Sequence, residues 1–217
     1  MGRKLGIFFM CIGAVLLLGA LALFAYNQWE SETAAETAED LLKEVKLVMA
    51  AEKTPAPTAA DKRSEKPENE WEEAPMPTFT PEPTIDPTMT EQRVRGYWCV
   101  GYLTIPALDL ELPVMNSWSK ENGKAGPCKY YGSTKTANLV ICAHSYKKYF
   151  GRIDQLRAGD EVIFTDMDGV VWQYEVAETE ILIPTAIAEM TAGEYALTLF
   201  SCTPEHNRRI TVRCRAK

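Results

Sequence analysis

Leu5 to Tyr26 is a run of 22 residues without one charged side chain. As an α-helix it would be about 33 Å long, enough to cross a hydrocarbon core of about 30 Å. No polar stripe gives it an outer face, which argues against a helix on the surface of a soluble domain. It exceeds the apolar part of a cleaved signal peptide, which reaches roughly 15 residues. Ala20-Leu21-Ala22 resembles a cleavage pattern but falls inside the run. Arg3 and Lys4 precede the run and acidic residues follow it. Charge asymmetry therefore predicts a cytoplasmic tip over residues 1–4, a single-pass signal anchor over 5–26, and the rest outside the cell.

Beyond the anchor the composition changes twice. Residues 27–52 are rich in Ala, Glu, Leu and Lys, and Leu41, Leu42, Val45, Leu47, Val48 and Met49 form a helical stripe. A juxtamembrane helix is expected, with fewer than three heptads to support a coiled coil. Residues 53–90 are dominated by Pro, Thr, Ala and Glu. Such a stretch cannot bury enough apolar surface to offset chain entropy. It is expected to be a disordered stalk, reaching on the order of 120 Å if fully extended. The net charge of −7 lies entirely before residue 91, with 15 acids and 8 bases there against 15 and 15 in residues 91–217. No basic field marks a nucleic-acid partner.

Residues 91–217 read as β structure. Val94–Ile105, Leu108–Met115, Asn138–Ala143, Glu161–Asp166, Val171–Ile183, Ala196–Cys202 and Arg209–Cys214 are rich in Val, Ile, Leu and aromatics and are separated by turn residues. Trp172, Tyr174 and Val176 alternate with Gln173 and Glu175, the period of a half-buried strand. Residues 151–156 suggest one helical turn. About seven strands in this length predict an all-β closed barrel or sandwich.

Three residues stand at strand ends: His144 after Asn138–Ala143, Cys202 after Leu197–Ser201, and Arg209 before Ile210–Arg213. If the last two strands form a hairpin across the Thr203–Arg208 loop, Cys202 and Arg209 face each other, with Cβ atoms about 5 Å apart. The types suit acyl transfer. An ordinary thiol is mostly protonated at neutral pH, and a nearby cation favours the thiolate. The same cation can hold an oxyanion, and a histidine can protonate a leaving amine. His206 is the other histidine, and Arg208 the other arginine at the loop. Each residue alone also has a plainer reading, as a buried strand-end thiol or a surface charge.

Thr198-Leu-Phe-Ser-Cys202 resembles the TLxTC signature of the sortases, with Ser201 where Thr is usual. Thr203-Pro204 followed by Arg209-Ile-Thr-Val resembles that family's passage from nucleophile to arginine strand. Asn138–His144 is similar to its histidine strand, and Phe150–Asp160 to the short helix and turn that follow. Gly101 to Val114 and Gly132-Ser133 fit as well. The resemblance covers about residues 95–217 and is nearest to class D-like members, with class B as a rival. It implies an eight-stranded β-barrel with one or two short helices. It implies Cys202 as nucleophile, His144 as acid/base and Arg209 as the oxyanion and substrate partner. Substrate contacts would fall to Thr198 and Ser201 on the nucleophile strand, and to Ile183 and Ala188 at the loop over residues 184–195. The reaction would cleave an LPxTG-like sorting signal and transfer the protein to an amine on peptidoglycan, its lipid precursor or a pilin, in a Gram-positive cell wall.

Papain-like hydrolases place Cys before His, and LD-transpeptidases carry a His-Gly-Cys block; neither pattern is present. From another class, an anchored but inert sortase-like binding module remains an alternative. Cys128, Cys142, His144 and Cys202 lack paired metal-ligand spacing, so neither a metal nor a cofactor is expected. Cys142 and Cys214 are expected in the core. Cys99 and Cys128 are expected either to pair or to stay free, and no disulfide is expected to Cys202.

Overall fold

A computed structural model describes residues 2–52, 87–192, 194–203 and 207–217, with side chains described from residue 8. The stalk stretch up to residue 86 and His206 lie outside the described residues. The anchor run and the segment after it form one helix, α1 (Gly2–Glu52). Its apolar window has a mean hydropathy of 2.6 and no buried residue, so it is long and apolar enough to cross a membrane.

The strands are β1 (Gln92–Val94), β2 (Tyr97–Ile105), β3 (Leu110–Met115), β4 (Cys128–Tyr131), β5 (Leu139–Cys142), β6 (Glu161–Asp166), β7 (Val171–Leu182), β8 (Leu197–Cys202) and β9 (Arg209–Ala216). Two short α-helices, α2 (Lys120–Ala125) and α3 (Ile187–Thr191), and two 3-10 turns, Pro106–Leu108 and Ile153–Gln155, complete the described domain. Neighbours run β2-β3-β4-β5-β8-β9-β7-β6, and β6 pairs back to β2, which closes an eight-stranded barrel. This is the sortase-like barrel that the sequence leads one to expect. The ninth strand, β1, is an extra edge strand on β2, turned by Arg95 and Gly96, both at positive φ.

Closure depends on Gly101. There β2 bulges between Cys99 and Gly101 and pairs on both sides, with Val114 and with Asp166. Its φ is +149°, and a Cβ would fall on the Thr165 carbonyl. No other residue type fits that approach without moving β6.

The interior is aliphatic and aromatic, with Val100, Leu103, Ile141, Phe164, Leu197, Leu199 and Val212 each at most 1% exposed. A second apolar cluster lies outside the barrel wall, where Leu41, Val45 and Met49 of α1 meet Val94, Cys99, Met115, Cys128 and Cys142. Ala34, Ala38 and Leu42 are buried too, so this stripe is covered by the barrel. Leu47, counted in the stripe, points to solvent. Burying side chains such as Leu41, Val45 and Met49 stabilises the docked arrangement by about 1.5–3 kcal/mol each.

Met89, just before β1, is buried in the barrel core.

Candidate active site

The site assembles at the ends of three adjacent strands. In the β8–β9 hairpin Cys202 is the register partner of Arg209. The Arg209 Nη1 donates to the Cys202 Sγ at 3.1 Å. The hairpin mouth is closed by Thr203 N donating to the Arg208 carbonyl at 3.0 Å. Arg208 itself is exposed, so the arginine on the sulfur is Arg209. β5 runs parallel to β8 with Cys142 beside Phe200. Ala143 N donates to the Phe200 carbonyl at 3.2 Å, so His144 follows β5 at the same end of the sheet as Cys202.

His144 is half-buried between two aromatic rings. Trp118 meets it edge-on and Tyr146 lies tilted against it, each with centroids 5.1 Å apart. Trp118 rests on α2 because position 123 is glycine: a Cβ there would sit 2.6 Å from the indole and 3.3 Å from the His144 Nε2. α2 is started by Ser119, whose side chain accepts from Asn122 N at 3.0 Å. The imidazole is thus held by α2 and the segment after β5.

The remaining thiols near the site are silent. Burial pushes Cys142 up to about 12 although Arg209 lies within electrostatic reach of it. Burial likewise pushes Cys99 and Cys214 up to about 12 and raises Cys128 further. Such thiols behave as small hydrophobes. All six cysteines are free, Cys202 is partly exposed, and Cys99 and Cys128 are unpaired thiols in the outer cluster.

A small cleft of about 80 Å³ adjoins Arg209, lined by Tyr130, Pro184, Ala186, Ile187, Met190 and Phe200. It is roughly half the size of an engineered cavity of about 150 Å³ that admits benzene. Its far wall is α3, which has no side-chain N-cap. Arg213 holds that helix. Its guanidinium is buried and donates to the Glu189 carbonyl (2.6 Å), the Met190 carbonyl (3.1 Å), the Thr198 Oγ1 (3.1 Å) and Glu180 (2.7 Å).

The expected substrate residues fall in two settings. Thr198 is buried with its hydroxyl taken by Arg213, and Ser201 is buried at the barrel end. Ile183 and Ala188 are exposed beside the cleft, whose lining comes from their neighbours. Sequence reasoning did not single out Trp118, Gly123, Tyr146 or Arg213. The Ser119 cap was the available signal for α2, and Asn122-Gly123 masked it by reading as a turn. Among the described residues, no group of three His, Cys, Asp or Glu side chains is arranged to hold a metal.

Comparison with known proteins follows the same lines. Sortase C from Clostridium perfringens SM101 is 25% identical, with a TM-score of 0.49 over 55% of this chain and 70% of that one. Sortase A from Corynebacterium diphtheriae is 21% identical, with a TM-score of 0.50 over 56% of this chain and 61% of that one. The pilus-related sortase C of Group B Streptococcus is 22% identical, with a TM-score of 0.50 over 55% of this chain and 67% of that one. The chain spans less than two thirds of the sortase A structure. The latter two likenesses carry the barrel fold and, being of different classes, do not choose between classes. No curated protein matches the chain. A family model described as the sortase domain matches residues 103–217, just over half of the chain. The chain belongs to the sortase family, a family of cysteine transpeptidases.

Proposed function

We propose that this sortase is a membrane-anchored transpeptidase that uses Cys202, His144 and Arg209 to move secreted proteins from a sorting peptide to an amine. The observation that carries the reading is the Arg209 guanidinium on the Cys202 sulfur at 3.1 Å. A fixed cation there stabilises negative charge on the nucleophile and then on the carbonyl oxygen it attacks.

The sulfur adds to the Thr carbonyl of an LPxTG-like peptide, forming the C–S bond. The Thr–Gly C–N bond breaks, and the glycine amine leaves with a proton from His144. The thioester then meets an acceptor amine, on peptidoglycan, its precursor or a pilin. His144 takes the amine proton, the new amide forms, and the C–S bond breaks to return the thiolate. α1 is the anchor, with its N-terminus in the cytoplasm and the barrel outside the cell. The small cleft under α3 takes an aliphatic side chain of the peptide.

The test uses the full chain in detergent, a panel of fluorogenic sorting peptides and an amine acceptor, followed by intact mass. A peptidyl adduct absent from Cys202→Ala, with transfer to the amine, is the expected result. A folded protein whose Cys202 alkylates but never acylates with any peptide would overturn it.

A further inference from the structure

The anchor and the site are close to each other along α1. The apolar run ends at Tyr26, and Trp29 is exposed one turn later. Glu30 is bridged to Lys124 of α2 at 3.0 Å. Four residues along a helix rise about 6 Å, which is about the thickness of one headgroup layer (5–8 Å) if the hydrocarbon edge lies at Tyr26. One turn further, the Tyr149 hydroxyl sits between the carbonyls of Ala34 (2.7 Å) and Lys124 (2.8 Å), either of which can accept its proton. Tyr146 lies within electrostatic reach of Glu30, Lys124 and Tyr26, and the other side of Tyr146 faces His144. The membrane end of the barrel is therefore the α2 end, and it is the end that carries His144.

The chemistry of that end suits a bilayer surface. Segments 118–125 and 144–151 hold four lysines (Lys120, Lys124, Lys147, Lys148) and a single acid, Glu121, in a domain whose net charge is zero, and Glu30 of α1 pairs with Lys124. All four lysines are exposed, and so is Trp118. Aromatic rings at a helix exit and lysines beside them favour an interface with anionic headgroups.

We propose that the α2 face, with Trp29, Trp118, Lys120, Lys147 and Lys148, rests on anionic lipid headgroups, so that the end of the barrel that carries His144 lies at the membrane surface. The proposal rests on α1 being a membrane anchor. It makes the bilayer a part of the binding site: substrate and acceptor are met at headgroup level.

Hydrogen exchange on the full chain in nanodiscs tests it, comparing phosphatidylcholine alone with an equimolar mixture containing phosphatidylglycerol. Amides of 118–125 and 144–151 are expected to exchange more slowly in the anionic discs, by about fivefold for each lysine engaged. Those of β6 and the first half of β7 should be unchanged. Lys147→Glu with Lys148→Glu should shrink the difference between the two discs. Identical rates in both lipids, with the chain resisting alkaline carbonate extraction, would overturn the surface and leave the anchor standing. A chain that carbonate releases would overturn both.

Discussion

The two faces of the β8–β9 hairpin are built on opposite rules. Inward, Leu197, Leu199, Val212 and Cys214 are fully buried and apolar. Outward, Thr198, Phe200, Cys202, Arg209, Thr211 and Arg213 alternate with them on the same strands. The inner face works by volume, so its parts are interchangeable in kind. The outer face works by position, because each arginine there holds one partner in place, Arg209 the sulfur and Arg213 the helix α3. The comparison teaches that equal burial does not mean equal roles. Arg213 and Val212 are both nearly solvent-free, yet only the arginine fixes the shape of the cleft.

Substitutions on the two faces should separate these roles. The largest effect is expected at Arg209→Ala: kcat for peptide transfer should fall about 10²–10³-fold, as for loss of one oxyanion donor, with the melting temperature nearly unchanged. A variant that melts early instead would make Arg209 structural. Leu199→Ala on the inner face should do the reverse, costing about 2–5 kcal/mol of stability by denaturant titration while the folded fraction keeps its kcat. Arg213→Met should fall between. It frees two carbonyls of α3 and should cost about 1–3 kcal/mol, and the displaced cleft wall should raise KM more than it lowers kcat. Equal loss of kcat with KM untouched would show that α3 does not shape peptide binding.

Much of this was legible in the sequence because strands advertise themselves by period and apolar content. β6, β7 and β8 lie within a residue or so of where alternation puts them. Cys202 facing Arg209 follows from a hairpin and a six-residue loop alone. What stayed hidden had no local signal. β4 is four residues long and reads Cys-Lys-Tyr-Tyr, with no alternation to find. α3 has no cap and depends on Arg213, which is 22 residues beyond its C-terminal end. The docking of α1 could not be read because one apolar stripe serves a coiled coil and a barrel wall equally well. Only the strands' outer residues, Cys99, Cys128 and Cys142, tell them apart, and those are brought together by closure of the sheet.

The effect that is smallest at neutral pH, where it vanishes, tests the thiols of the two faces against each other. Cys214 on the inner face, with Cys99 and Cys142 in the outer cluster, is held up to about 12 by burial against an ordinary value of 9.0. The folded state therefore binds these protons more tightly than the unfolded chain. Their contribution to stability is complete below pH 9 and is lost progressively as pH rises towards 12. The slope is at most about 1.4 kcal/mol per pH unit for each thiol. Denaturant titrations between pH 8 and 11 should show a steady decline in stability, and Cys214→Val should flatten it by about one thiol's share. Iodoacetamide at pH 8 on the native protein should meanwhile label Cys202 and leave Cys214 untouched until the protein unfolds. Labelling of Cys214 at the rate of Cys202, or an unchanged alkaline slope in Cys214→Val, would show that the inner face is open to solvent and that the contrast between the two faces is one of composition alone.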